Sequence, residues 1–214
     1  MPGRRGTPAC TEIPADSGGF RYVLCGEFPE KMFVMKSMYF LSAALVGFSA
    51  PHAMSAPADP AGAERVKTVE TLDLNRFLGR WYEIARFDHR FERGMECVTA
   101  EYAMRPDGMI AVTNSGYKKG KFRVAHAKAK QPDPADPGKL KVSFFLWFYS
   151  DYYVLALDSL EYAYALVGSS SDKYLWILSR TPKLDPVTLE YLLEQARRRG
   201  YDTSKLIWVR QKER

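Results

Sequence analysis

The residues able to do chemistry in this chain are few and poorly spaced for it. Past residue 58 the histidines are His89 and His126, and neither stands at a metal-ligand spacing from Cys, Asp or Glu. Asp88-His89 is the kind of pair that acid–base catalysis uses, a carboxylate orienting an imidazole. Here it closes an apolar segment and reads as an exposed loop pair. No Gly-rich phosphate loop and no Gly-x-Ser-x-Gly elbow occurs. Cys97 follows Cys10 and Cys25 and is the only cysteine past residue 58. With no activating neighbour it reads as a small buried residue, in a fold held by its core and not by an internal disulfide. Arg197-Arg198-Arg199 is the one basic run. It falls at the end of a predicted helix, where it complements the helix dipole, so nucleic acid is not an expected partner. The expectation is a chain with no catalytic residues, no metal and no cofactor.

What is abundant instead is aromatic surface. The 214 residues include 13 Tyr, 12 Phe and 4 Trp, and β-structure is where such residues concentrate. From residue 79 short apolar segments alternate with turns, which predicts strands over 79–88, 97–105, 108–116, 121–130, 139–147, 150–158, 161–168 and 174–180. Arg105-Pro106-Asp107-Gly108 is a turn, and Ser115-Gly116 with Lys118-Lys119-Gly120 reads as another. Gln131 to Gly138 holds three prolines and cannot be ladder. Eight strands with short links predict an all-β fold, an antiparallel up-and-down barrel. Asp185-Pro186 then opens a helix whose stripe is Val187, Leu189, Leu192, Leu193 and Ala196, ending at Gly200. It is expected on the outside of the barrel, with a short strand at Leu206–Val209 after it. Val142 to Tyr149 and Tyr152 to Leu157 are apolar on both faces. The helix accounts for part of that. The tip, Trp147-Phe148-Tyr149 with Tyr152-Tyr153, is harder to cover and reads as an exposed association surface.

The first residues read as processing signals. Lys36 followed by the apolar run 38–50 and small residues is the pattern of a secretory signal peptide, placed at 32–58 with cleavage after Ser55 or Ala58. Residues 1–31 then read as a disordered or misassigned upstream segment, 59–70 as a linker, and 71–212 as the folded domain. Phe48 follows Leu45-Val46-Gly47, where a lipid-modified cysteine would be expected. The expectation is an exported protein of the periplasm or cell envelope without a lipid anchor. Its mildly basic charge suits an anionic membrane surface.

Phe77-Leu78-Gly79-Arg80-Trp81-Tyr82-Glu83 opens the first strand, Ala156-Leu157-Asp158 precedes Tyr162 to Val167, and Tyr174 to Pro182 carries Arg180. With Phe87 to Gly94 and Lys141 to Phe145, these segments resemble the bacterial lipocalins, in the branch of Blc-like outer-membrane lipocalins and apolipoprotein D-like proteins. The resemblance implies that Gly79, Trp81, Asp158 and Arg180 are structural signatures, with the Trp81 indole plugging the closed end and the Arg180 guanidinium across it. That cation–π contact is worth about 1–2 kcal/mol when desolvated. The chain departs from the branch at Leu146-Trp147 and Ser150-Asp151, where Gly-Pro and Gly-Gly are frequent. Both changes fall at the hairpin between strands five and six and add bulk at the entrance.

The resemblance implies a protein that binds and transports or stores a small hydrophobic ligand, a fatty acid, lysophospholipid or similar lipid. Burying ~300 Å² of acyl chain yields roughly 7 kcal/mol before ordering costs, enough for micromolar affinity without specific chemistry. Alternation and resemblance together nominate Val142, Phe144, Tyr152, Val154, Tyr164 and Trp176 as lining, with Tyr149 at the rim. Two alternatives stand beside this. One is a hydrolase or isomerase acting on a lipid, for which His89 is the residue to test. The other is an interaction module whose aromatic tip touches a membrane or pairs two copies as a homodimer.

Overall fold

The computed structural model describes residues 66–145 and 147–211. The expected upstream segment and leader, with most of the expected linker, lie outside these residues. A short helix α1 (Leu74–Phe77) precedes eight strands: β1 (Gly79–Phe87), β2 (Met95–Met104), β3 (Ile110–Lys118), β4 (Lys121–Lys130), β5 (Lys139–Phe145), β6 (Phe148–Leu157), β7 (Tyr164–Gly168) and β8 (Leu175–Ser179). Helix α2 (Pro186–Arg198) and strand β9 (Leu206–Trp208) follow. Each strand from β1 to β8 pairs antiparallel with the next, and β1 pairs with β8, so the sheet closes into a barrel.

The turns follow local chemistry. Gly108 takes φ +77° to close the β2–β3 link, and its N–H donates to Arg105 O at 3.0 Å. The β3–β4 hairpin turns at Lys119-Gly120, both at positive φ, as a two-residue hairpin requires. Ser115-Gly116, expected in that turn, is instead inside β3. Gly116 is buried there because its face packs on β2, where a Cβ would stand 3.0 Å from Glu96 O.

Two apolar layers hold the molecule. Inside the barrel Trp81, Tyr102, Val112, Val142, Val154 and Leu178 share one core with Phe77 of α1. Outside it, Leu192 and Ala196 of α2 pack against Leu155, Leu166 and Ile177. Asp185 caps α2 by accepting from Thr188 N at 2.9 Å, and Pro186 occupies the first turn. Val187, expected in the helix stripe, is 80% exposed, because the buried face begins a turn later. The helix covers β6 to β8, which explains why Tyr152 to Leu157 are apolar on both faces. Residues ahead of α1 also dock on the barrel: Val69 N donates to Val154 O at 3.0 Å.

Strand β9 does more than trail the helix. It pairs with the upper half of β1, Ala85 to Phe87, whereas β2 pairs with the lower half, Gly79 to Tyr82. The C-terminal segment therefore fills the wedge where β1 and β2 separate. Cys97 N donates to Arg210 O, and the Gln211 amide donates to Glu83 O and Val98 O at 2.7 and 2.9 Å. Cys97 sits in the β2 bulge at φ +51°, half-buried, and is disulfide-bonded. The expectation of a buried thiol in a fold without a disulfide is corrected on both counts. A bulge residue faces neither layer squarely, which leaves Cys97 half-buried.

Candidate functional site

The two ends of the barrel differ. At one end Gly79 takes φ +86°, a left-handed conformation that suits glycine, and starts β1 beneath α1. Trp81 is fully buried, and its indole N–H donates to Phe77 O at 2.8 Å. The Arg180 guanidinium lies 3.8 Å from the Trp81 ring centroid and donates to Arg80 O, Arg76 O and Tyr162 O at 2.7–3.2 Å. Asp158 shapes the β6–β7 link by accepting from Leu160 N and Ala163 N. This end is a floor: every polar group named has a partner.

At the other end lie the β1–β2 loop 88–94, the β3–β4 turn and the β5–β6 hairpin. Strands β4 and β5 pair only over Lys128–Lys130 and Lys141–Ser143, so their upper halves are not laddered together. Phe145, Trp147 and Phe148 are 62%, 72% and 62% exposed, with Phe122 and Val124 of β4 also exposed.

Between floor and mouth lies a cavity of about 160 Å³. That is roughly five water volumes and smaller than most drug-sized pockets, a space for a narrow chain. Its walls are chiefly Val98, Tyr102, Val112, Val142 and Leu178, with Phe91 and Phe144 where it meets solvent. Of the residues nominated from sequence, Val142, Phe144, Tyr152 and Trp176 line this cavity. Tyr152 is fixed by a 2.8 Å hydroxyl contact to Tyr102, and burial pushes both phenols up.

Three nominations fall elsewhere. Val154 faces inward but is sealed in the core beneath the cavity. Tyr164 is on the outer face, its ring 6.2 Å from that of Tyr191 on α2. Ala165 and Val167 take the inner face of β7, so alternation sends Tyr164 out. Tyr149 is not at the rim. Ser150 and Tyr152 point inward, so Tyr149 points outward, under the Lys130 ammonium at 4.5 Å.

The largest feature absent from the sequence reading is a charged cluster in the wall. Glu83, Arg86 and Glu92 are all buried, at 4%, 1% and 6% exposure. Strict alternation would place Glu83 and Arg86 on opposite faces. A bulge between Glu83 and Ala85 shifts the phase, so Ile84 and Ala85 both face out and Glu83 and Arg86 both face in. Arg86 Nη1 donates to Glu83 Oε1 at 2.6 Å, and Nη2 donates to the Glu92 carbonyl at 2.7 Å. Trp176 Nε1 donates to Glu92 Oε2 at 3.3 Å. The signal that was available is the charged i, i+3 pair set among the apolar residues of Trp81 to Phe87.

Two carboxylates share one guanidinium, and burial decides their protonation. Burial, reinforced by the Glu92 charge, pushes Glu83 up to about 8 against the pull of Arg86. Glu92 is also raised by burial, opposed by Trp176 and Arg86. His89 is not the exposed loop residue expected: it is 7% exposed, stacked on Phe91 at 4.0 Å and tilted against Trp176 at 5.1 Å. The loop folds over the mouth and carries the ring under it. Burial and the Arg86 charge push His89 down to about 4. Its Nε2 lies 3.1 Å from Glu92 Oε2, yet neither ring nitrogen makes a well-formed hydrogen bond. Asp88 is turned away and pairs with Arg93 at 2.8 Å, so Asp88 and His89 do not form an acid–base pair. Among the described residues no group of three His, Cys, Asp or Glu side chains is placed to hold a metal ion.

Residues 72–211 match the family model of the lipocalin-like domain. The chain is a lipocalin. It is 48% identical over 150 residues to the outer membrane lipoprotein Blc of Vibrio cholerae, covering 69% of this chain and 88% of that protein. To apolipoprotein D of Mus musculus it is 36% identical over 146 residues, covering 64% and 76%. The structure of insecticyanin from the tobacco hornworm superposes with a TM-score of 0.58 at 28% identity, covering 69% of this chain and 85% of that one. The name lipoprotein in the Vibrio relative runs against the expectation, drawn from Phe48, of a lipocalin without a lipid anchor. That segment lies outside the described residues.

Proposed function

We propose that this lipocalin binds a single-chain lipid, a fatty acid, lysophospholipid or similar molecule, and carries or stores it in the cell envelope without chemical change. The observation that carries this reading is a narrow apolar cavity between a sealed Trp81–Arg180 floor and a mouth ringed by exposed aromatics. A chain buried against Val112, Val142 and Leu178 gains affinity from area alone. The envelope location rests on the leader pattern at 32–58 and on the outer membrane lipoprotein among the relatives.

The mouth is the end that meets a membrane in this reading. Exposed Phe145, Trp147 and Phe148 suit the interfacial layer, where aromatic rings partition. Exposed Lys119, Lys121 and Arg123 on the neighbouring hairpin attract anionic headgroups. Native mass spectrometry of protein purified from the envelope without detergent tests the carrier reading. A co-purifying lipid that organic extraction removes and a single-chain lipid replaces is the expected result. A bare protein that takes up none of these lipids overturns it.

A further inference from the structure

The cavity wall is not uniformly apolar, and its polar part has a composition that an apolar tail does not need. Glu83, Glu92 and Asn114 all line it. Asn114 stands on β3, two strands along the wall from Glu83, and its Oδ1 is buried without a hydrogen-bond partner. An orphaned buried acceptor costs about 1–3 kcal/mol until something donates to it. We propose that Glu83, Glu92 and Asn114 form a polar subsite that takes the uncharged hydroxyl or ester head of a single-chain lipid and disfavours a free carboxylate. This rests on the carrier reading above and narrows its ligand class.

The charge arrangement gives the selectivity. Arg86 is the one cation in the cluster, and its terminal nitrogens are engaged, Nη1 by Glu83 and Nη2 by the Glu92 carbonyl. Its Nε makes no hydrogen bond but lies 4.0 Å from Glu92 Oε2, and the side chain does not line the cavity, so an entering anion meets the two acids first. The groups facing Glu83 are Arg86 on its own strand, Glu92 on the loop and Tyr102 on β2, and His89 lies behind Glu92 at 3.1 Å. Asp151 of β6 also lines the cavity but is tied to Lys141 at 2.5 Å and to Ser170. Burial raises Glu83 to about 8, raises Glu92 as well and lowers His89, so near neutrality both acids hold their protons more tightly than free carboxyls do and the imidazole is neutral. A protonated Glu83 donates to a carbonyl and accepts from a hydroxyl, and Asn114 Oδ1 accepts from a second hydroxyl. A fatty-acid carboxylate brought there would add an uncompensated anion beside Glu92, which a low-dielectric interior penalises.

The experiment compares oleate with 1-monooleoylglycerol, which share one chain and differ in the head, on the intact protein by tryptophan fluorescence titration. At neutral pH monooleoylglycerol is expected to bind about tenfold tighter than oleate, the worth of a hydrogen bond or two. Its affinity is expected to fall several-fold as pH rises past about 8 in the wild type and to stay flat in Glu83→Gln, which keeps the shape of the protonated acid. Asn114→Val is expected to weaken monooleoylglycerol and leave oleate unchanged. Equal or tighter binding of oleate in the wild type overturns the subsite while leaving the carrier reading standing. So does a pH profile that Glu83→Gln does not alter. If neither lipid binds, the carrier reading fails, and the subsite falls with it.

Discussion

Two arginines inside one barrel are held in different ways. Arg180 at the floor faces three carbonyls and an indole, all of which favour a cation and none of which titrates. Arg86 in the wall faces a carbonyl and two buried carboxylates that compete for it. The first arrangement is satisfied at any pH and serves the fold. The second is in conflict at any pH that leaves both acids charged, and it lies where the cavity is. Structural and functional polarity are thus separated along the barrel axis.

The sharpest test of that separation is Trp81→Ala. It removes the indole on which the floor is built and is expected to cost about 3–5 kcal/mol in chemical unfolding. A much smaller loss would mean that the floor is not what closes the barrel. Arg180→Lys keeps the charge but cannot fork across three carbonyls. We expect a loss of about 1–2 kcal/mol, with ligand affinity unchanged in the folded protein.

The wall cluster predicts a pH effect of defined sign. Glu83 rises from its ordinary 4.5 to about 8, so the folded state binds the proton more tightly, and stability falls as pH rises between those values. His89 drops from 6.5 to about 4, so its contribution is complete above 6.5 and is lost as pH falls towards 4. Between 6.5 and 8 His89 no longer contributes and the raised acids do, so the melting temperature is expected to decline there more steeply in the wild type than in Glu83→Gln. A parallel decline in the variant would remove Glu83 as its cause. The smallest contrast concerns the two faces of neighbouring strands. Trp176→Ala is expected to weaken lipid binding, whereas Tyr164→Ala is expected to alter only thermal stability, because Trp176 lines the cavity and Tyr164 packs on α2.

The fold was legible because its signals are local. Alternation marked all eight barrel strands to within a few residues, and Asp185-Pro186 marked the start of α2. The site was legible at Val142, Phe144, Tyr152 and Trp176, where residues two apart both reach the cavity or the neighbouring strand sets the face. It failed at Glu83–Arg86, where one bulge inverts the faces, and at His89, whose burial depends on how a loop folds over the mouth. It also failed at Tyr164 and Tyr149, where an aromatic ring suits either face and only the neighbouring small residues decide. The wedge filled by β9 is a long-range event with no local mark.

The most direct measurement places a quencher on the ligand. In a Trp147→Phe, Trp208→Phe background the remaining indoles, Trp81 and Trp176, both face the barrel interior. Titration with a lysophospholipid brominated along its acyl chain is expected to quench their fluorescence saturably, and unlabelled lipid is expected to reverse it. Fluorescence that stays constant while the lipid binds would put the ligand outside the barrel and contradict the carrier account.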